Sequence, residues 1–90
     1  MGIMLEPVQG EGGVILPQEG YLKKVKALCE KYNVLLITDE VQTGLGRCGT
    51  LMGYMHDLGD VKPDIVTLGK AISGGVTPVS GILANNEVMM

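Results

Sequence analysis

The sequence contains no tryptophan and no phenylalanine, and three tyrosines are its only large aromatic side chains. Even so, 46% of its 90 residues are hydrophobic and the mean hydropathy is +0.27. A chain this short buries only about 60–65% of its unfolded surface, so a domain that folds alone is expected to be more polar. Both ends also fall inside predicted elements, a strand over residues 1–5 and a helix that begins near residue 86. We therefore expect a piece from the middle of a larger α/β protein.

Positive charge is scarce as well, because seven lysines and arginines against ten aspartates and glutamates leave a net charge of −3. This balance excludes the basic stripe that nucleic-acid binding requires. No run approaches the ~20 apolar residues that cross a bilayer. The chain also does not open on the basic segment and apolar core of a secretory signal. We expect no nucleic-acid partner and no membrane partner.

Cysteine and histidine are too few for a metal centre, and no metal site is predicted. Cys29 and Cys48 lack the spacing of metal ligands, and His56 is the only histidine. Unpaired cysteines are typical of reducing compartments, so we expect free thiols and a location in the cytoplasm or the mitochondrial matrix. His56 stands beside Asp57 in a polar stretch and is predicted to be a surface residue without a role.

The stretch around which the chain is organised runs from residue 34 to residue 44. It begins with a short apolar run rich in β-branched residues and continues with Asp39, Glu40 and Gln42. Such a run is typical of a strand buried on both faces in a parallel sheet covered by helices. Ligands of open α/β sheets bind beyond the carboxyl ends of the strands. Asp39 and Gln42 therefore stand where a ligand is expected.

The segment from about residue 19 to residue 32 has the spacing of an amphipathic helix. The positions predicted to face inward are Leu22, Val25, Leu28, Cys29 and Tyr32. The positions predicted to face solvent are Lys23, Lys24, Lys26, Glu30 and Lys31. Asn33 suits the left-handed position after a helix. Strand, helix and strand in this order predict a right-handed βαβ unit.

Further strands are predicted over residues 65–68 and 79–84, with a short helical turn over residues 51–56. The first strand leads into a glycine-rich loop that carries Glu11, and the strand over residues 65–68 leads to Lys70. Asn85 or Asn86 is suited to cap the last helix.

Two nucleotide-binding interpretations fit the sequence poorly. Residues 44–49 match G-x-G-x-x-G literally, but that fingerprint must join a strand directly to a helix, and here no amphipathic helix follows. The apolar run with Asp39 and Glu40 also resembles the magnesium-binding strand of P-loop ATPases. The only Gly-Lys pair precedes Ala71 where a serine or threonine belongs, so this reading needs a phosphate loop elsewhere in a longer chain.

A third interpretation joins two strand ends, because Asp39 and Lys70 each follow a predicted buried strand and can reach one crevice. A lysine among small residues is costly to bury without a partner, and a structural salt bridge between Asp39 and Lys70 would supply one. The alternative to a structural salt bridge is that Lys70 and Asp39 take part in catalysis. Burial near positive charge lowers the pKa of an ammonium group and yields an amine that forms an imine with a carbonyl. A carboxylate that keeps a pyridine nitrogen protonated does the complementary work in pyridoxal phosphate chemistry.

Three ordered motifs resemble the class III (ω-) aminotransferases. They are EPVQGEGG at residues 6–13, DEVQTGLGR at residues 39–47 and LGKAISGG at residues 68–75, with shorter matches at residues 63–66 and 78–80. The likeness covers nearly the whole chain and is strongest to members that act on ornithine, with those that act on acetylornithine next. The resemblance implies an α/β fold of the fold-type I class, in which residues 1–90 are a fragment of the large domain that binds pyridoxal 5′-phosphate.

The resemblance also implies a role for five residues. Lys70 would hold the cofactor as a Schiff base and act as the catalytic base. Asp39 would pair with the pyridine nitrogen, Val41 would contact one ring face, and Gln42 would hydrogen-bond the phenolic oxygen. Glu11 would be a gate that pairs with a substrate-site arginine until a dicarboxylate arrives.

Glu6 and Glu40 are expected to hold the ligand-contacting residues in position without touching the ligand themselves. The sequence departs from the family at Cys48, where threonine is usual, and in a longer, Met- and Gly-rich segment over residues 51–60. The family's phosphate-binding loop, stacking aromatic residue and substrate arginine are not found in this chain. The resemblance implies a parent that is a homodimer or a higher homo-oligomer and acts on amino-acid and 2-oxo-acid substrates.

We therefore expect a full-length parent that converts ornithine and a 2-oxo acid such as 2-oxoglutarate to glutamate semialdehyde and an amino acid, and a fragment that is inactive alone. The alternatives are an aminotransferase for acetylornithine or another ω-amino acid, a P-loop ATPase fragment, and a non-enzymatic truncated product.

Overall fold

The computed structural model of the protein describes residues 1–89 and contains a four-stranded sheet. The strands are β1 (Gly2–Leu5), β2 (Leu35–Asp39), β3 (Ile65–Leu68) and β4 (Gly81–Ala84). They lie side by side in chain order. β1, β2 and β3 are parallel, and β4 pairs antiparallel with β3. The mostly parallel α/β sheet is confirmed, and the carboxyl ends of its three parallel strands meet at one edge.

β4 is shorter than the strand predicted over residues 79–84. Its first residue, Gly81, pairs with Leu68, which is the last residue of β3. The chain leaves the sheet after Leu68, so residues before Gly81 have no neighbouring strand to pair with.

Helices join and follow these strands. They are α1 (Tyr21–Lys31), α2 (Met55–Leu58), a 3₁₀ turn (Lys70–Ser73) and α3 (Asn86–Met89). Asn85 caps α3, because its Oδ1 accepts a hydrogen bond from the amide of Val88 at 2.9 Å. The predicted continuation of this helix to Met90 lies outside the described residues. Among residues 1–89, no helix has the length and apolar composition needed to cross a bilayer.

The end of α1 follows its sequence signal closely. Asn33 adopts the predicted left-handed conformation, with a φ of 53°. The amide of Val34 donates to the carbonyl of Cys29 at 2.8 Å, and the amide of Asn33 donates to the carbonyl of Glu30 at 3.4 Å. This pair of bonds is the Schellman arrangement, which satisfies the last helical carbonyls and turns the chain directly into β2.

The core lies on one face of the sheet, beneath α1 and the segment that includes α2. Its buried members are Leu22, Cys29, Leu36, Met52, Tyr54, Leu58, Val66 and Leu68. Alternation along the strands points Leu36 and Val66 into this core and leaves Asp39 and Thr67 on the opposite, half-buried face.

Part of the predicted α1 pattern is wrong. Leu28 and Tyr32 were expected to face inward but are 54% and 65% exposed. Lys26 was expected to face solvent, yet its side chain is only 12% exposed and its Nζ lies 3.3 Å from Asp64 Oδ2. The same Asp64 oxygen accepts the amide of Leu36 at 2.8 Å. The carboxylate of Asp64, which is bound to β2, therefore draws the Lys26 side chain toward the sheet and away from solvent.

The two cysteines lie in different surroundings and do not pair with each other. Cys29 is buried in the core, Cys48 is partly exposed, and both are free thiols. His56 is exposed, as predicted, and its Nε2 contacts the carbonyl oxygen of Cys48.

A distant carboxylate caps the start of α1. The residue at the N-cap position is Gly20, which has no side chain to accept from the first helical amides. Asp57 of α2 supplies the acceptor instead. Its Oδ1 accepts the amide of Gly20 at 2.7 Å, and its Oδ2 accepts the amides of Leu22 at 2.6 Å and Lys23 at 3.3 Å. The negative charge also lies at the positive end of the helix dipole.

We expect Asp57→Ala to lower the free energy of unfolding by about 2 kcal/mol, because three amides lose a charged acceptor. Urea denaturation followed by circular dichroism measures this change. Asp60→Ala is the matched control, since Asp60 is exposed and forms no hydrogen bond within residues 1–89. Equal midpoints for the two variants would contradict the assignment of the cap.

Candidate functional site

An open cleft of about 940 Å³ lies at the carboxyl edge of the parallel strands. Segments that follow β1, β2 and β3 line it together. The lining residues are Val8, Gln9, Gly10 and Val14, then Val41, Gln42, Thr43, Arg47 and Cys48, then Lys70, Ala71, Gly74 and Gly75. Three of the predicted site residues, Val41, Gln42 and Lys70, are thus brought to one cavity from two different strands.

Lys70 lines the cleft and has an unusual backbone conformation. It is the first residue of the 3₁₀ turn, and its φ of 45° is in the region that residues with a side chain seldom adopt. Such conformations cost on the order of 1–3 kcal/mol and cluster at functional sites. The strain gives an indication of function at Lys70 that does not depend on sequence motifs.

Two side chains converge on one oxygen of Glu11. Gln42 Nε2 donates to Glu11 Oε1 at 3.0 Å, and Lys70 Nζ lies 3.9 Å from the same oxygen. The side chains of Lys70 and Glu11 are 57% and 87% exposed, so this ion pair is a weak surface contact.

Within residues 1–89, Lys70 does not form the salt bridge with Asp39 that was the structural alternative for these two strand ends. Its amine instead lies in the open cleft, because the 3₁₀ turn starts beyond the last residue of β3 and nothing within residues 1–89 covers it. Its one carboxylate partner among those residues is Glu11.

Asp39 is oriented by two neighbours that use the same oxygen. The amide of Val41 donates to Asp39 Oδ1 at 3.1 Å, and Thr67 Oγ1 donates to it at 3.2 Å. Thr67 is also the residue paired with Asp39 across β2 and β3. The contacts of residues 1–89 leave Oδ2 without a hydrogen bond, so that oxygen can accept one from a ligand. Asp39 does not itself line the cleft but adjoins Val41, which does.

Glu40 points to the other face of the sheet and is only 1% exposed. Its Oε1 accepts Thr43 Oγ1 at 2.6 Å and the amide of Gly53 at 2.7 Å, and its Oε2 accepts the amide of Tyr54 at 2.8 Å. The carboxylate thus joins the end of β2 to the segment that precedes α2. These hydrogen bonds hold the turn that carries Val41 and Gln42 against the segment before α2.

Glu6 supports the opposite wall of the cleft. Its Oε2 accepts the amide of Gly10 at 3.1 Å, and a bridge between Gln9 and Ile15 closes the loop with two backbone hydrogen bonds of 3.0 Å. The loop that carries Glu11 is therefore a closed turn.

The geometry argues against both nucleotide-binding interpretations. Residues 44–49 form irregular turns, and α2, the next helix, begins only at Met55 and has four residues. The carboxylate of Glu40, which would have to polarise a water in an ATPase, is buried and saturated by protein donors.

An amine, an amide and an adjoining carboxylate beyond parallel strands define a ligand site of an α/β protein. The chain belongs to the class III aminotransferase family, whose model, described as aminotransferase class-III, matches residues 1–90. This confirms the resemblance found in the sequence.

Known proteins with the same fold and similar sequence support this assignment. The probable mitochondrial ornithine aminotransferase of Caenorhabditis elegans is 63% identical over 97% of this chain and 20% of its own length. The acetylornithine aminotransferase structure from Elizabethkingia anophelis has a TM-score of 0.92 and 56% identity, over 98% of this chain and 21% of that one.

A third similar protein is the ornithine aminotransferase of Toxoplasma gondii, whose crystal structure shows partial occupancy of PLP at its active site. It has a TM-score of 0.92 and 51% identity, over 98% of this chain and 20% of that one. The chain thus spans about one fifth of the length of the proteins it matches.

We expect Glu40→Gln to lower the free energy of unfolding by about 2 kcal/mol, because an amide cannot accept all three of these hydrogen bonds. Urea denaturation measures the loss. Glu87→Gln, at an exposed position of α3, is the control and is expected to stay within about 0.5 kcal/mol of the unmodified protein. A Glu40→Gln variant as stable as this control would show that the buried carboxylate is dispensable.

Ionisation of Tyr54 is expected to lower the stability of the fold at alkaline pH. Burial, and secondly the neighbouring carboxylate of Glu40, raise the pKa of Tyr54 above its ordinary value of 10.0. Because the folded pKa exceeds the unfolded one, the contribution of Tyr54 to stability is complete below about pH 10 and is lost as the pH rises through the folded pKa. Tyr54→Phe is expected to lessen this alkaline loss in urea titrations between about pH 9 and pH 11. Tyr32→Phe, at an exposed phenol, is expected to leave it unchanged.

Proposed function

We propose that residues 1–90 belong to the large, cofactor-binding domain of a pyridoxal-phosphate-dependent aminotransferase. In the full-length protein this enzyme transfers the δ-amino group of ornithine to a 2-oxo acid, most simply 2-oxoglutarate. The observation that carries the proposal is the convergence of Val41, Gln42 and Lys70 on one cleft with Asp39 beside them. The name and the 63% identity of the C. elegans relative support the choice of ornithine.

The donor set of the cleft fits the cofactor. Pyridoxal phosphate presents a basic ring nitrogen, two flat ring faces, a phenolic oxygen and an aldehyde. The site offers an oriented carboxylate at Asp39, an aliphatic side chain at Val41, an amide at Gln42 and an amine at Lys70. When bound, the cofactor supplies an electron-accepting ring that stabilises negative charge on a substrate carbon.

Asp39 would hold a proton on the ring nitrogen. Its Oδ1 is occupied by Val41 and Thr67, and Oδ2 is the oxygen left to accept that N–H. Because the two donors fix the carboxylate, no reorganisation is needed when charge develops on the ligand.

Gln42 and Val41 would orient the ring. The amide of Gln42 has two N–H groups, of which one donates to Glu11, so the second can donate to the phenolic oxygen. Val41 would contact one ring face through its two methyl groups.

Lys70 is proposed as the residue that does the covalent and proton-transfer work. Its amine would attach the cofactor through the aldehyde. With its amine free, the same Nζ would be the base that moves a proton between the substrate carbon and the cofactor's aldehyde carbon. The exposure of its side chain in the cleft gives a substrate amine access to it.

Glu11 is proposed as the gate on the substrate side. It is exposed at the mouth of the cleft, at the tip of a loop that the Gln9–Ile15 bridge closes. An exposed carboxylate there can neutralise a substrate-site arginine when the substrate lacks a second carboxylate. The arginine itself belongs to the part of the parent outside this chain.

Acetylornithine is the second candidate substrate, because the E. anophelis enzyme matches with 56% identity and a TM-score of 0.92. We propose a homodimeric parent, located in the mitochondrial matrix or the cytoplasm. The 90-residue chain alone is expected to have no transaminase activity, since it spans about one fifth of such enzymes. Measured values of kcat/KM for ornithine and acetylornithine distinguish the two substrates.

Lys70→Ala is expected to abolish covalent attachment of the cofactor in a full-length protein that carries this segment. Loss of the base alone is expected to reduce kcat by roughly 10²- to 10⁴-fold. Borohydride reduction followed by peptide mass spectrometry should place the cofactor mass on Lys70 in the unmodified protein.

Lys24→Ala, at an exposed position of α1, is the control and should retain both attachment and activity. Cofactor mass on another lysine, or full activity of Lys70→Ala, would refute the proposed function. Absence of cofactor binding by a folded full-length protein would favour a non-enzymatic role.

A further inference from the structure

Two glycines lie against the side chains that are proposed to orient the cofactor. A methyl group at Gly10 would lie 2.7 Å from Gln42 Nε2 and 2.8 Å from its Cδ and Oε1. A methyl group at Gly69 would lie 3.1 Å from Val41 Cγ1. Gly10 follows β1 and Gly69 follows β3, the two neighbours of β2 in the sheet. The turn after β2 is therefore flanked on both sides by backbone without a side chain.

Neither glycine is required by backbone conformation. Gly69 has a φ of −169°, which is extended backbone that any residue adopts. Gly10 is likewise not among the glycines of residues 1–89 that have positive φ, whereas Gly13 in the same loop has a φ of 99°. Close approach to Gln42 is thus the reason that the structure offers for glycine at position 10.

We propose that Gly10 is a positioning residue that sets where the amide of Gln42 lies, an inference that rests on the proposed function. The amide of Gly10 is held by Glu6 Oε2 at 3.1 Å, so the loop is tied down while the end of Gln42 is flexible. A side chain at position 10 would therefore displace the Gln42 amide more readily than it would move the loop.

The loop controls the orientation of the amide as well as its place. A carboxylate only accepts hydrogen bonds, so Glu11 Oε1 selects the Nε2 end of Gln42, at 3.0 Å. The direction of the second N–H, which is proposed to reach the phenolic oxygen, follows from that contact. The absent side chain of Gly10 leaves room for the Gln42 amide, and the Glu11 carboxylate determines which end of that amide faces the loop.

Val41 is expected to respond less to its glycine than Gln42 does. A methyl group at Gly69 would make a longer contact, and the Val41 side chain would have to shift by only a few tenths of an ångström. Gly69→Ala is therefore expected to have a smaller effect than Gly10→Ala.

The test measures the cofactor dissociation constant of the full-length protein that carries this segment, by titrating the apoprotein with pyridoxal phosphate. Gly10→Ala is expected to weaken binding by about tenfold, the loss of roughly one hydrogen bond to a charged oxygen. Gly12→Ala is the matched control, because its methyl group would meet only Gln9 Oε1, at 3.9 Å. The control is expected to bind as the unmodified protein does, and the urea midpoints of both variants are expected to be unchanged.

A second pair of variants separates this role from a general disturbance of the loop. In a Gln42→Ala background the shorter side chain leaves room, so adding Gly10→Ala should cause no further loss of affinity. If Gly10→Ala alone fails to fold, Gln42→Ala should restore folding. A further loss in the double variant, or its failure to fold, would overturn the proposal.

Equal cofactor affinities of Gly10→Ala and Gly12→Ala would also overturn it. The proposed function would survive that result as long as the cofactor is attached at Lys70. A crystal structure of the Gly10→Ala protein gives an answer that does not depend on cofactor binding. The amide of Gln42 is expected to have left Glu11 Oε1, and an unmoved amide would refute the inference.

Discussion

The parallel pairing of β1, β2 and β3 is the constraint on which the rest of the structure depends. Parallel strands in register end at the same edge, so three separate loops meet there. The pairing of Asp39 with Thr67 brings the ends of β2 and β3 together, and the hydrogen bond between the Glu40 amide and the Thr67 carbonyl, at 3.0 Å, continues it for one more residue. The side chains that line the cleft are neighbours in space because these strands are aligned.

Carboxylates stabilise the segments between the strands by accepting hydrogen bonds from their backbone amides. Asp57 holds the start of α1, Asp64 holds β2 and Lys26, Glu40 holds the segment before α2, and Glu6 holds the glycine loop. Each accepts at least one backbone amide, and hydrogen bonds to charged groups are among the stronger ones in proteins. A chain almost without large aromatic side chains thus fixes its irregular segments by polar contacts around a small aliphatic core.

The cleft is built in two layers with different chemistry. Lys70, Gln42 and Glu11 face the opening and can exchange partners, because their contacts are exposed or involve flexible side chains. Glu40, behind them, is buried and fully hydrogen-bonded. Gly10 lines the cleft beside Gln42, and its missing side chain leaves room for the Gln42 amide to lie against the loop. Ligand contacts can thus rearrange while the turn after β2 stays in place.

The sequence by itself determined the three parallel strands, α1 with its Asn33 terminus, the family, and the candidates Asp39 and Lys70, because these depend on local periodicity and on contiguous motifs. Only the tertiary structure decided that Lys26 turns inward, that Asp57 caps a helix 37 residues away and that Glu40 binds amides 13 and 14 residues ahead. It also decided that Gly10 meets Gln42. These contacts join segments from different strands and helices, and their geometry is fixed by how the sheet aligns those elements, which no local pattern encodes.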